Sequence, residues 1–273
     1  MSKKTHDIAF LGAGNMATAL VRGFAAAKLF KPSRILVTDS EADKRRVAKR
    51  LLKVGATAEN REAVRAARII VFAVKPQVID AVMNEISGDV SPLHLFISIA
   101  AGVTTQRMEA HLGRAARVIR VMPNTPALLG RGMSVVVRGR RASAAHERLA
   151  LRLFRSVGDA IAVKSETDLD AVTGLSGSGP AYLYLFAEAL IRAGTEVGLP
   201  EETSRRLALQ TILGAAHMLT ETNETPQALR AAVTSPGGTT LAGLTEMQRR
   251  QFVEAVVAGV AAATARSREL GRA

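Results

Sequence analysis

Cysteine and tryptophan are both absent from the 273 residues. Without cysteine there is no disulfide, no thiolate nucleophile and no Cys-ligated metal, and the absence fits a cytoplasmic protein. No uncharged apolar run reaches the roughly 18 residues that a spanning helix needs, so no membrane partner is expected. The sequence opens Met1-Ser2-Lys3-Lys4-Thr5-His6-Asp7 and passes directly into a short apolar strand. It has neither an h-region nor a small-residue cleavage site, so no secretory signal is expected. The histidines, His6, His94, His111, His146 and His217, show no metal-ligand spacing, and no metal is expected. There is no G-x-S-x-G elbow and no P-loop, and nothing suggests covalent catalysis.

What is present is globular usage, with 48% hydrophobic and 22% charged residues. Net charge is +13, from 37 basic and 24 acidic residues. Aromatics are only 4%, and the basic residues are scattered. The densest groups are Lys44-Arg45-Arg46 and Arg138-Gly139-Arg140-Arg141. A nucleic-acid partner is therefore not expected, whereas a positive field suits a small anionic ligand such as a dinucleotide.

Continuous Ile/Val/Phe runs predict strands at 8–11, 34–38, 69–74, 93–99, 118–122, 133–137 and 160–163. Such runs belong to strands covered on both faces. Helical stretches at 16–28, 41–52, 77–86 and 105–112 alternate with them, which predicts a Rossmann-type doubly wound α/β domain over residues 1–164. From residue 165 to 273 helical periodicity takes over, with helices expected near 180–197, 201–221, 227–233, 240–248 and 252–269. Ser165-Glu166-Thr167-Asp168 reads as an N-cap region opening this all-α domain. Two of its helices, at Ala181–Ala187 and Val256–Ala263, are apolar nearly all round. Either an oligomer interface or the centre of a bundle must cover them.

Gly12-Ala13-Gly14-Asn15-Met16-Ala17 follows the first strand and opens a helix, as the dinucleotide fingerprint does. Gly12 permits the turn, Gly14 lets a pyrophosphate approach, and the helix N-terminus favours the anion. Asp39, ending the next strand, is either a ribose ligand or a helix cap. Ser40 with Lys44, Arg45 and Arg46 could hold a 2′-phosphate instead. Ala73-Val74-Lys75-Pro76, Ala100-Ala101-Gly102-Val103 and the rigid Met122-Pro123-Asn124-Thr125-Pro126 all leave carboxyl ends of strands, where ligands sit. Asn124 is the polar group the last of these presents. In the helical half, Gly174–Pro180 and Ser235–Thr240 are Gly-rich, hydroxyl-rich junctions leading into helices. They are carboxylate cradles in type, and Ser176, Ser178, Ser235, Gly237, Gly238, Thr239 and Thr240 are candidate substrate ligands. A dinucleotide domain plus such a cradle suggests hydride transfer.

These motifs, together with Leu175-Ser176-Gly177-Ser178-Gly179-Pro180-Ala181-Tyr182 and Ser235-Pro236-Gly237-Gly238-Thr239-Thr240, resemble those of the pyrroline-5-carboxylate reductase family nearly end to end. The resemblance implies a substrate-binding and dimerisation role for the helical domain, with homodimers that often build larger rings. It implies reduction of L-1-pyrroline-5-carboxylate to L-proline, the last step of proline biosynthesis, with NADPH or NADH. It places the substrate carboxylate on Ser235–Thr240 and gives Thr240 a catalytic hydrogen bond to the ring nitrogen. Glu224 matches an acidic residue near the substrate, and Asn60 and Ala73–Pro76 match positions lining the cofactor. Ala17, Ser40 and the nearby basic residues favour NADPH slightly over NADH.

Overall fold

The computed structural model describes residues 5–272, the side chain of Arg272 excepted; the expectation about residues 1–4 lies outside that range. Eight strands form one sheet: β1 (Ile8–Leu11), β2 (Ile35–Thr38), β3 (Gly55–Thr57), β4 (Ile69–Phe72), β5 (Leu95–Ser98), β6 (Arg117–Pro123), β7 (Gly132–Arg138) and β8 (Gly158–Ala162). Their spatial order is β3-β2-β1-β4-β5-β6-β7-β8. All neighbours run parallel except β6 and β7, which pair antiparallel with Val121 opposite Val136. The order reverses between β1 and β4, and that switch point opens a crevice at the strands' carboxyl ends.

Helices α1 (Asn15–Ala26), α2 (Ala42–Val47), α3 (Asn60–Ala66), α4 (Ile79–Ile86), α5 (Thr105–Leu112), α6 (Ala144–Arg155) and α7 (Asp168–Val172) accompany the sheet. Every residue of β1 and β2 is buried, because helices cover both faces. On one face Phe10, Phe24 and Phe154 meet, with Phe24 and Phe154 edge to face at 6.3 Å between centroids. On the other, Phe72, Phe96, Ile79, Met83 and Met108 fill the space under α3, α4 and α5. Each such fully buried side chain contributes roughly 1.5–3 kcal/mol.

β3 is absent from the sequence reading, and its makeup explains why. Gly55-Ala56-Thr57 is three partly buried residues at the sheet edge, with no apolar run to register.

The chain divides into two compact units, residues 1–178 with 262–273, and residues 179–261. The expected boundary at 164 marks the change of texture, but 165–178 belongs structurally with the sheet. Glu166 is hydrogen-bonded to Thr105 and Arg120. Leu169 is fully buried with Val135 and Val137 of β7.

The second unit carries α8 (Gly179–Glu196), α9 (Glu201–Glu221), α10 (Pro226–Ala232), α11 (Thr239–Arg249) and the first half of α12 (Phe252–Arg272). Helices α8 and α9 approach closely at Gly194, where a Cβ would stand 2.5 Å from Ser204 Oγ. Within this unit only Ser204 and Ala208 are buried. No helix among the described residues is long and apolar enough to cross a membrane.

Candidate active site

Gly12, at φ +104°, is a position where side chains are strained, and a Cβ there would stand 2.6 Å from the Ala73 carbonyl oxygen. This glycine lets the β1 turn pass against the turn leaving β4. Gly14 has open space where a Cβ would point, so nothing obstructs a phosphate there. Gly14 is also the N-cap of α1 and supplies no side-chain cap. The first N–H groups of α1, on Asn15, Met16 and Ala17, thus lack a capping side chain, the arrangement that binds anions. The cradle fits a dinucleotide pyrophosphate.

The Ala13 N–H is used differently: it donates to Asp39 Oδ2 at 3.0 Å, while the Glu41 N–H donates to Asp39 Oδ1 at 3.0 Å. Asp39 is therefore not the helix cap, since the N-cap of α2 is Glu41. Its carboxylate instead ties the phosphate loop to the turn after β2, leaving lone pairs for a ribose hydroxyl. Arg45 donates to the carbonyls of Asp39 and Ser40 at 2.7 and 2.8 Å, and Lys44 Nζ lies 4.0 Å from Asp39. Positive charge thus gathers around Ser40. Arg45 bonds backbone carbonyls here, a role that no spacing rule reveals.

Asn60 begins α3 with its side chain fixed, accepting from the buried Thr38 hydroxyl at 2.5 Å and donating to Glu85 at 2.8 Å. Ala73 and Val74 are partly buried and Lys75 is exposed. Pro76 opens a short 3-10 turn that leads into α4. In the turn after β5, Ala100 is buried, Ala101 is partly open, and Gly102 at φ +74° backs onto Leu270 and Gly271. These residues line up along the carboxyl ends of β1, β2, β4 and β5.

Asn124 is engaged on both sides. Its Oδ1 accepts from the Met133 N–H at 2.8 Å, and its Nδ2 donates towards Ser176, to the carbonyl at 3.2 Å and to the hydroxyl at 3.3 Å. The Gly174–Pro180 junction corrects the sequence expectation of a loop with open N–H groups. Helix α7 runs on into a π-helical turn, Thr173–Gly177, closed by Ser178 N–H donating to the Thr173 carbonyl at 2.9 Å. Close packing favours this: a Cβ on Gly177 would stand 2.5 Å from Met122 Cε. The backbone there is committed to the helix, and only hydroxyls such as that of Ser178 remain to offer.

The second junction leads into a helix, as its sequence indicates. Gly237 turns the chain at φ +71°, and Gly238 sits so close to Ser235 that a Cβ would be 2.4 Å from its Oγ. Gly238 N-caps α11 without a side-chain bond. The hydroxyls of Ser235, Thr239 and Thr240 are all exposed. A helix terminus whose first N–H groups, and the three hydroxyls beside them, have no partner among the described residues is a carboxylate cradle in type. Glu224 is exposed in the connection between α9 and α10. Glu224 and Ser235–Thr240 belong to the second compact unit and the cofactor-side residues to the first.

Residues 166–270 match the pyrroline-5-carboxylate reductase dimerisation family, and residues 7–102 match the family described as NADP oxidoreductase, coenzyme F420-dependent. The pyrroline-5-carboxylate reductase of Pseudomonas aeruginosa is 41% identical, with 97% of each chain covered. That of Synechocystis is 39% identical over 97% of this chain and 98% of its own. The chain belongs to the pyrroline-5-carboxylate reductase family. Among solved structures, the family's Coxiella burnetii member superposes with a TM-score of 0.91 at 39% identity, covering 97% of this chain and 98% of that one. The Plasmodium falciparum reductase, determined with NADP bound, gives 0.88 at 33% identity, covering 99% and 100%. The fold is accordingly the family's: a Rossmann-like sheet domain followed by a helical dimerisation domain. The enzyme is an oxidoreductase, and its reaction is reduction of L-1-pyrroline-5-carboxylate to L-proline.

Proposed function

We propose that Gly12–Met16, Asp39, Ser40, Asn60, Ala73–Pro76 and Ala100–Gly102 hold the nicotinamide dinucleotide, and that the start of α11 holds the substrate. Asn124, fixed by its bonds to Ser176 and Met133, is a further cofactor-side candidate. The observation that carries the reading is the uncapped N-terminus of α11, with its ring of free hydroxyls, in a chain whose α1 N-terminus is likewise uncapped.

The chemistry asks little else of the protein. A C=N carbon accepts hydride readily only when its nitrogen is protonated. When bound, the reduced nicotinamide supplies that hydride. The N–H groups of α11 and the Ser235 and Thr239 hydroxyls anchor the carboxylate. Thr240 directs its hydroxyl to the ring nitrogen, and Glu224, Ser176 and Ser178 are the remaining candidate substrate ligands. Fixing the substrate in this way supplies several kcal/mol of barrier reduction, with no strong acid or base in play. The absence of cysteine supports a cytoplasmic setting.

NADPH is favoured over NADH, with both used. Ser40 and the flanking Arg45 and Lys44 offer donors to a 2′-phosphate, and they outweigh Asp39, whose charge is shared with two N–H groups. Assays with pyrroline-5-carboxylate against a panel of hydroxyacids and other cyclic imines, with each cofactor, test the proposal. Turnover is expected with pyrroline-5-carboxylate and a higher kcat/KM with NADPH. A preference for NADH of roughly tenfold, about 1.4 kcal/mol, would show that Asp39 dominates.

A further inference from the structure

The turn Ala100–Val103, which the proposed function sets beside the nicotinamide, is pinned at both ends. At its start the Ala100 N–H donates to the buried Ser98 hydroxyl at 3.2 Å. At its end Thr104 N-caps α5, accepting from the Arg107 N–H at 3.1 Å. The residue next to that cap, Thr105, is held by a side chain distant in sequence. Glu166 accepts from the Thr105 N–H at 2.8 Å and from the Thr105 hydroxyl at 2.6 Å. The same carboxylate accepts from Arg120 Nη1 at 3.0 Å. The Arg120 side chain is only 4% exposed, and its Nη2 has no hydrogen-bond partner among the described residues. Glu166 is thus the counter-charge of a buried guanidinium as well as the carboxylate at a helix N-terminus.

Four groups from three separate stretches therefore converge on one point: the end of the cofactor turn, strand β6, and the segment before α7. Local structure does not require this. Ser165 already accepts from the Thr167 N–H at 3.3 Å, and Thr104 already caps α5. We propose that Glu166 is a positioning residue for hydride transfer: bonded to Thr105 and neutralising Arg120, it fixes the Ala100–Val103 turn at the height the nicotinamide ring requires. The inference rests on the proposed cofactor site. Glu166 touches neither substrate nor reacting atoms, so its loss displaces the ring without removing a ligand.

Three variants and two readouts test it. Glu166→Gln keeps the shape but removes the charge and one acceptor. Thr105→Val is a milder second variant, which leaves Arg120 paired and removes only the hydroxyl donor. Glu166→Asp restores the carboxylate on a shorter arm. A displaced ring makes hydride transfer slower, so kcat should fall roughly 10- to 100-fold in Glu166→Gln and less in Thr105→Val. The isotope effect with C4-deuterated NADPH should rise, and KM for pyrroline-5-carboxylate should move much less than kcat. Glu166→Asp should recover part of kcat. In parallel, the fluorescence of NADPH bound without substrate should change in Glu166→Gln, which reports the turn whatever the substrate is. Ser267→Ala serves as the control, because it breaks a neighbouring bond to Asp170 (2.7 Å) that does not touch the turn. It should lower thermal stability with kcat and isotope effect intact. Unchanged kcat, isotope effect and bound-NADPH fluorescence in folded Glu166→Gln and Thr105→Val would overturn the proposal. So would equal effects in Ser267→Ala, which would make the role merely structural. Absence of pyrroline-5-carboxylate turnover in the wild type would instead strike the proposed function, leaving the fluorescence comparison to judge Glu166.

Discussion

In the proposed site Thr240 is the residue given the chemical role. It stands second in α11, exposed, with the free N–H groups of the helix start around it. Those N–H groups can hold a carboxylate whatever the side chain at 240. Only the hydroxyl can follow the ring nitrogen as its charge disappears during reduction. Thr240→Ala should therefore lower kcat more than it raises KM, the pattern of an interaction made mainly in the transition state. One such contact is worth roughly 1.5–3 kcal/mol, about 10- to 100-fold. Thr240→Ser should retain most activity. Because Gly238 is the N-cap and Thr240 makes no capping bond, Thr240→Ala should leave the melting temperature nearly unchanged, and an unchanged kcat would remove Thr240 from the mechanism. Steady-state kinetics beside thermal melts make the check. At this scale the sequence was most legible at Gly12, which reads as the glycine of a tight turn and lies at positive φ; Gly237 does too, but reads from sequence only as part of a Gly-rich junction. It was least legible for Glu166, whose partners lie 46 and 61 residues away and which reads from sequence as part of a local cap.

Among the elements, α6 carries a device whose charge state matters. Ser143 caps the helix, and His146 at N3 completes a capping box by accepting the Ser143 N–H on Nδ1 at 3.0 Å. Only a neutral imidazole nitrogen can accept. Burial, and secondarily the Arg117 charge, hold the His146 pKa below its ordinary 6.5. The unfolded chain therefore binds more protons than the folded one in mild acid. The contribution is whole above the unfolded value and is lost as pH falls through the lowered folded one. It is bounded by the ~1 kcal/mol of an N-cap. His6 acts in the same sense, its pKa lowered by burial and by Arg34. Melting temperature should thus fall as pH drops from about 7 to about 5. His146→Gln, which keeps a capping-box acceptor without titrating, should reduce that slope; an unchanged slope would remove His146 from the account. Strand positions followed from continuous apolar runs, because β1, β2 and β4 are covered on both faces. Two things escaped that reading. The antiparallel β7 reads like its parallel neighbours, since Val135-Val136-Val137 is equally buried either way. The π-turn at Thr173–Gly177 carries the glycines and serine of a loop but continues helix α7, with Gly177 packed close against Met122.

The whole molecule shows an imbalance between its units. The sheet domain has two filled core layers, whereas residues 179–261 bury only Ser204 and Ala208. Leu183, Tyr184, Leu185, Val253, Val256 and Val257 stand 46–65% exposed on α8 and α12. A helical unit with almost no core of its own lacks the burial that must offset its conformational entropy. Residues 166–270 match a dimerisation family, which points to a homo-oligomer. The protein should be at least a dimer by light scattering at micromolar concentration. Val257→Asp should weaken assembly or folding by burying an unpaired charge; a wild-type monomer would contradict this. The apolar helices were plain in the sequence, but whether a partner or a bundle covered them was not, because periodicity cannot count neighbouring chains. Delivery of hydride to the imine carbon of pyrroline-5-carboxylate can be followed atom by atom. The most direct measurement follows deuterium from C4-deuterated NADPH into product. L-proline should carry deuterium at the former C=N carbon and form in step with cofactor consumed. Folded, dimeric protein that oxidises neither NADPH nor NADH with this substrate, or does so without forming labelled proline, would contradict that delivery.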